Sequence, residues 1–323
     1  MLSIIMVSYN SKEVIDRCLA SLRASRIRGP VGIIVVDNHS QDGTPAMIEE
    51  NFPEVDLIVN RENKGFAAAN NQGLAAAMGD FVLLLNPDTV VRPQTIQRAL
   101  DFMAANPQAG LCGARLMSPE GVQQPSARRF PDAWTKCLTL SGISRRFPGS
   151  RVFNGHEYGH VNQSQDVEVD WVPGAFALCR REALGGMPLF DERFFLYYEE
   201  TDLCRRLKQA GWKVYFVAGA EVVHIGGASS ATTKESFDRH ARQVRKYRMR
   251  SEWLYFYKNH GLMSVWATAG VEFGWHLLRL VKNLCSLSKT HIAKANDSLT
   301  LLTLLTRSLM ETRFGRVSPP RPW

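Results

Sequence analysis

Over the first 117 residues short apolar runs alternate with longer amphipathic ones. LSIIMVSY predicts a buried strand, and in residues 12–25 Val14, Ile15, Cys18, Leu19 and Leu22 recur at helical spacing. The alternation continues through VGIIVVDN as a second strand, 45–51 as a short helix, DLIVN as a third strand and the alanine-rich 65–78 as a helix. DFVLLLNPD then predicts a fourth strand, 93–106 a helix with Pro in its first turn, and GLCGARLM a fifth strand. Strands apolar on both faces and separated by helices predict an α/β fold, a mostly parallel sheet covered on both sides, with ligands at the carboxyl ends of its strands.

From about residue 118 to 159 the pattern is irregular and rich in Gly, Pro and Ser. WVPGAFALCRREAL predicts a strand running into a short helix, FFLYYEETDLCRRLKQAGW an aromatic loop entering a helix, and KVYFV and EVVHIGGASS the last strands. After Ser236 apolar residues such as Val265, Trp266, Ala269, Phe273, Leu277, Leu278 and Val281 follow helical spacing, and RVSPPRPW predicts a frayed tail.

Composition narrows the reading. With 323 residues, 45% apolar and 22% charged, the chain is a globular protein of one large domain or two modest ones, not a disordered or disulfide-stapled one. The six cysteines lack CxxC spacing, which points to free thiols in a reducing compartment. No basic-then-apolar leader precedes the first strand, and residues 262–287 are interrupted by Glu272, His276, Arg279 and Lys282, so the expectation is a cytoplasmic protein without a membrane span. The net charge of +8 is unevenly distributed: 14 Lys/Arg face 4 Asp/Glu from residue 241 onward, against 25 and 27 before it. No RNA- or DNA-binding pattern accompanies the basic region, so nucleic acid is not an expected partner.

Polar residues fall where a parallel sheet would use them. Ser8-Tyr9-Asn10, Asp37-Asn38 and Asn86-Pro87-Asp88 close three strands, delivering side chains to one edge. GxGxxG and the Walker motif are both missing, which argues against hydride transfer and P-loop chemistry. Asp37 can accept from a pyrimidine NH or a ribose hydroxyl, or merely cap its turn. Asp88 offers a hard oxygen to Mg²⁺ or Mn²⁺, and the same NPDT is also a good turn. Glu199, Glu200 and Asp202 open a helix, where the macrodipole favours carboxylates whether or not they catalyse. Asp202 is spaced to pair with Arg206. Trp171 can offer its face to a sugar or serve as core.

Together, IIMVSYN, VVDNHSQDGT, NKGFAAANNQG, LLLNPDT, WVPGAFALCRREAL, YYEETDLCRR and VHIGG resemble the inverting family 2 glycosyltransferases of GT-A fold, and within them the bacterial rhamnosyltransferase-like members that build cell-surface polysaccharide. The resemblance spans about residues 2–230. It implies a GT-A domain over 1–235, with a nucleotide-binding half (1–117) and an acceptor-binding half (118–235), followed by a basic helical region over 236–323. It implies a nucleoside-diphosphate sugar as donor, preferably dTDP-rhamnose, and a glycan or lipid-linked glycan as acceptor. UDP donors and a non-catalytic GT-A scaffold are the alternatives. Ser8, Tyr9, Asn10, Asp37, Asn38, Asn63, Lys64, Gly65, Asn70, Asn86 and Asp88 would face the donor, and Trp171 and Gly174 the acceptor. Asp88, in the place of the family's DxD motif, and His224 of VHIGG would hold Mg²⁺ or Mn²⁺, with Gly226 and Gly227 letting backbone approach a phosphate. Glu200 falls at the general base, a Glu where Asp is usual, with Glu199 and Asp202 ranked after it. Arg128 and Arg129 of SARRFP would pair with a phosphate or lie in a solvated loop. Arg242, Arg245, Lys246, Arg248 and Arg250, just before Trp253, Tyr255, Phe256 and Tyr257, suggest peripheral docking on the anionic inner face of a membrane.

Overall fold

Strand β1 (Leu2–Ser8) is buried at every position, as a central strand covered on both faces must be. The computed structural model describes residues 1–158, 164–225, 234–284 and 288–320, with the backbone alone over 234–242. Helix α1 (Lys12–Arg23) turns Ile15, Cys18, Leu19 and Leu22 inward, where they join Ile4 and Met6 in the core. The alternation then runs through β2 (Val31–Asp37), α2 (Thr44–Asn51), β3 (Val55–Val59), α3 (Phe66–Ala76) and β4 (Phe81–Leu85). Ile4 and Ile5 are wholly buried, each worth roughly 1.5–3 kcal/mol. A Cβ on Gly73 would stand 2.5 Å from Ile5 Cγ2. That glycine lets α3 lie directly on the sheet and brings its N-terminus to the strand ends.

Beyond β4 come β5 (Thr89–Val91), α4 (Thr95–Ala105), β6 (Ala109–Met117), α5 (Ala133–Ser141), α6 (Ile143–Arg146), β7 (Val167–Val169), β8 (Phe176–Arg180), α7 (Glu199–Gln209) and β9 (Lys213–His224). The sheet order is β3-β2-β1-β4-β8-β6-β9-β5, with β7 also paired to β9. The first four strands are parallel, β8 runs antiparallel between β4 and β6, and β6 and β9 share the direction of the first four. The sheet is thus mostly parallel, with β5, β7 and β8 reversed. KVYFV and EVVH, expected as two strands, are one. The register against β6 jumps from Ala114↔Val217 to Arg115↔Glu221, so AGA at 218–220 is a bulge and not a break.

Two compact units emerge, residues 1–129 with 162–241 and residues 130–161 with 242–321. Segment 130–161, read from sequence as part of the acceptor-binding half, therefore packs with the C-terminal helices. The reason lies in α5, which is started by a capping box between Asp132 and Thr135 and places Lys136 against Glu252 (2.5 Å) and Glu272 (2.9 Å). Helix α8 (Lys234–Leu284) is broken at Gly261, where φ is 76°, and α9 (Lys289–Glu311) follows. Trp253, Leu254, Tyr255 and Phe256 are buried, with Trp253 Nε1 donating to Ser308 Oγ (2.8 Å). These aromatics are the core of the second unit and do not form the interfacial row suggested by their spacing after the basic cluster. Nor is the tail wholly frayed: Val317 N donates to Thr312 O (3.0 Å), Pro319 is buried, and Phe314 stacks on Trp266 (4.8 Å). Of the expected free thiols, Cys18, Cys112, Cys179 and Cys204 are buried and Cys137 is exposed, while Cys285 lies outside the described residues.

Candidate active site

The register Ser8↔Asp37 sets the ends of β1 and β2 side by side. Asp37 is fully buried, and its carboxylate accepts from Ser8 Oγ (2.8 Å), Ser40 N (2.8 Å) and Ser40 Oγ (2.5 Å). A carboxylate offers about four lone pairs, so roughly one remains for a ligand. Asn10 (φ 48°) and His39 (φ 75°) turn the chain sharply here, and Asn10 Oδ1 accepts from Gln41 N (2.8 Å). Tyr9 is exposed beside them.

Asn38 is a bracket. Its Nδ2 donates to Asn63 Oδ1 (2.9 Å) and Gly65 O (3.2 Å), and its Oδ1 accepts from Lys64 N (3.0 Å) and Asn60 Nδ2 (3.2 Å). Three of these four bonds hold loop 63–65 and the fourth goes to Asn60 at the end of β3, while Asn63 Oδ1 also accepts from Gly65 N (2.9 Å). Asn70, 1% exposed, donates to Phe66 O within its own helix (2.9 Å). Asn38 and Asn63 thus fix the loop before α3, while Asn70 bonds within that helix.

Asn86 N donates to Ala175 O (3.1 Å), and Asn86 O accepts from Thr89 Oγ1 (2.7 Å), fixing the turn that carries Asp88. Thr89 pairs with His224 in the β5–β9 ladder. That pairing sets His224 Nε2 3.5 Å from Asp88 Oδ1, both side chains largely buried. Gln124 Nε2 donates to the His224 carbonyl (2.9 Å), and its Oε1 lies 2.8 Å from His224 Nδ1. Among the described residues no group of three or more His, Cys, Asp and Glu is placed to hold a metal, and Asp88 with His224 is a two-residue pair. Imidazole nitrogen with one carboxylate suits Mn²⁺ or Mg²⁺ completed by phosphate and water. Neighbouring ligands of an octahedral ion at about 2.1 Å stand about 3 Å apart, close to the separation present. Gly226 and Gly227 lie outside the described residues.

Opposite stands the start of α7. Tyr197 (φ 72°) and Tyr198 (φ 68°) both take left-handed conformations, unfavourable for bulky residues and held by the fold around them. Phe195 O accepts from Phe66 N (2.7 Å), while a Cβ on Gly65 would meet the Phe195 ring at 2.6 Å. The loop before α3 and the loop entering α7 are thereby in direct contact. Glu199 is buried, and desolvation together with the charge of Glu200 holds its carboxyl well above the usual range. Glu200 is half-buried and lies next to Gly174, whose added Cβ would be 3.8 Å from Glu200 Cβ. Asp202 is fully buried and paired with Arg206 (2.9 Å), the i,i+4 bridge the spacing predicts. Trp171 Nε1 donates to Arg129 O (2.8 Å), and Arg128 stacks on its ring (5.3 Å).

Sequence reasoning missed Gln124, Ser40 and Asn60. Ser40 and Asn60 follow the ends of β2 and β3, where strand-end polarity could have signalled them; Gln124 sits in an aperiodic segment.

A model of the family described as glycosyl transferase family 2 matches residues 3–185. The chain is 32% identical over 236 residues to an N-acetylglucosaminyl-diphospho-decaprenol L-rhamnosyltransferase of Mycobacterium tuberculosis, covering 69% of this chain and 75% of that one. It is 26% identical over 235 residues to rhamnosyltransferase WbbL of Escherichia coli, covering 69% and 83%. Among solved structures it superposes on the mannosyltransferase PcManGT from Pyrobaculum calidifontis, solved with GDP-Man and Mn²⁺, with a TM-score of 0.55, 16% identity and coverage of 95% and 86%.

Proposed function

The chain belongs to glycosyl transferase family 2, with the GT-A fold, and from that premise we propose that it is an inverting, metal-assisted rhamnosyltransferase acting on a lipid-linked glycan. The observation that carries the reading is the convergence of Asp88, His224 and the Asp37 edge at the carboxyl ends of the strands, with Glu200 at the start of α7. Rhamnose transfer is supported by the relatives from Mycobacterium tuberculosis and Escherichia coli, a diphospholipid-linked sugar acceptor by the first of them, and dTDP-rhamnose as donor by the motif resemblance.

Asp37 takes a hydrogen bond from the base or ribose with its remaining lone pair, and Lys64 and Tyr9 flank the donor. Asp88 and His224 would hold Mg²⁺ or Mn²⁺, which would supply positive charge to the departing diphosphate. Glu200 receives the acceptor hydroxyl proton as that oxygen bonds to the anomeric carbon and the bond to diphosphate breaks on the opposite face, inverting the centre. Gly174 leaves room for the acceptor against Glu200, and Trp171, braced by Arg129 and Arg128, forms its wall.

No helix among the described residues is long and apolar enough to cross a membrane. The enzyme reaches a lipid-linked acceptor from the cytoplasmic face through the basic helical unit.

The deciding experiment supplies Mn²⁺, a lipid diphosphate-linked sugar and a panel of dTDP-, UDP- and GDP-sugars. Turnover is expected with dTDP-rhamnose and a fall of about 10²–10⁴-fold in Glu200→Gln. Transfer from a UDP-sugar instead replaces the donor assignment. No transfer from any donor, or full activity in Glu200→Gln, removes the mechanism.

A further inference from the structure

His224 has a partner behind it that the reaction as described does not use. Gln124 lies just past β6, its backbone N donating to Leu116 O (2.8 Å), in a turn closed by Ser118 N to Val122 O (2.7 Å). From there its amide meets His224 at two points. A backbone carbonyl can only accept, so the amide end at His224 O is the nitrogen and the end at Nδ1 is the oxygen. An amide oxygen likewise only accepts. The proton of a neutral imidazole must therefore sit on Nδ1, which leaves Nε2 with a bare lone pair aimed at Asp88 Oδ1 across 3.5 Å. With no proton on Nε2 the two atoms are acceptors facing one another, a pair that either a proton or a metal cation can bridge.

We propose that Gln124 is a positioning residue that locks His224 as the Nδ1–H tautomer and so presents Nε2 to the cation. The inference rests on the reading in which Asp88 and His224 hold that ion. It assigns a role to a segment between β6 and α5 that carries no catalytic motif. Without the amide, neither tautomer is held and the ring is free to turn away from Asp88. Losing a hydrogen-bond partner of a ligating histidine ordinarily costs about 10–100-fold in metal affinity.

Two measurements test this. Nitrogen-detected NMR of histidine-labelled protein without metal, at a pH where the ring is neutral and with His224→Ala to assign the signal, should show the proton on Nδ1. A proton on Nε2 overturns the inference. Next, Mn²⁺ binding in the presence of dTDP is followed by electron paramagnetic resonance for wild type, Gln124→Leu, Gln124→Glu and His224→Ala, with folding checked by circular dichroism. Gln124→Leu should bind about 10–100-fold more weakly. Gln124→Glu, which still accepts from Nδ1 but loses the donor to His224 O, should fall between wild type and Gln124→Leu. Wild-type affinity in Gln124→Leu, or equal loss in both Gln124 variants, sinks the positioning role even while His224→Ala weakens binding. A His224→Ala protein that binds Mn²⁺ like wild type removes the cation reading and this inference with it.

Discussion

Glu199 is 3% exposed with Glu200 beside it, and burial and that neighbouring charge together push its carboxyl well above the usual range. A raised folded value means the native state keeps a proton that the unfolded chain releases. Stability is therefore undiminished by this group below the ordinary value near 4.5, and falls as pH rises from there toward the folded value. Glutamine mimics the protonated acid. Glu199→Gln should thus melt higher than wild type at pH 8 and the same near pH 4, and identical melting curves at both would contradict the assignment. Asp202 makes a second case at this scale. Its buried carboxylate bonds Arg206, so Arg206→Met should destabilise the fold by about 3–5 kcal/mol by removing that buried partner, read by denaturant unfolding. Asp88 stood out at a strand end, whereas the expected roles of His224 and Glu200 came from the resemblance carried by VHIGG and YYEETDLCRR and not from position alone. The commitment of Asn38 to loop 63–65 was not visible, because its partners Asn60, Asn63, Lys64 and Gly65 come from a different strand connection.

At the scale of elements, the loop before α3 and the loop entering α7 meet at one glycine. Gly65 sits at φ 86°, and a Cβ there would fall 2.6 Å from the Phe195 ring and 2.9 Å from Phe195 O, itself the acceptor of Phe66 N. Strain at positive φ and the clash act together, at a cost of about 1–3 kcal/mol. Because Phe195 leads through Tyr197 and Tyr198 into Glu200, the displacement should reach the base as well. Gly65→Ala is expected to lower Tm and also reduce kcat, measured with saturating donor. A drop in Tm with kcat untouched would show that the loops move independently. The alternation of β1 to α4 was legible because a buried parallel strand and an amphipathic helix have different periods. Strand β8 could not be oriented from its own residues, since an apolar run reads alike in either direction. Helix α5 buries only Leu138, too little for a periodic signal, although its Asp132–Thr135 capping box was there to be read.

Across the whole molecule, the charge asymmetry acquires a direction once the internal pairs are removed. In the helical unit Glu252 and Glu272 are taken by Lys136, and Glu311 by Arg250 and Arg307. What faces solvent is mainly basic: Arg245, Lys282, Lys289, Lys294, Arg313 and Arg316 are exposed. Past the break at Gly261, α8 also exposes Met263, Trp266, Leu277, Leu278, Val281 and Leu284. Anionic lipid complements such a surface, whereas a second copy would set like charge against like. Each Lys or Arg near an anionic bilayer contributes about 1 kcal/mol, so replacing Lys282, Lys289 and Lys294 together by Gln should weaken binding by about two orders of magnitude. Vesicle sedimentation should show binding to phosphatidylserine-containing but not neutral vesicles, fading as salt shortens the Debye length from about 10 Å at 0.1 M to about 3 Å at 1 M. Arg250→Gln serves as the contrast, because its charge is spent on Glu311 inside the unit: it should lower Tm and leave vesicle affinity per folded molecule nearly unchanged. Binding that ignores salt, or is equal on neutral vesicles, would instead assign the basic surface to solvent and leave the acceptor to be met without a membrane dock.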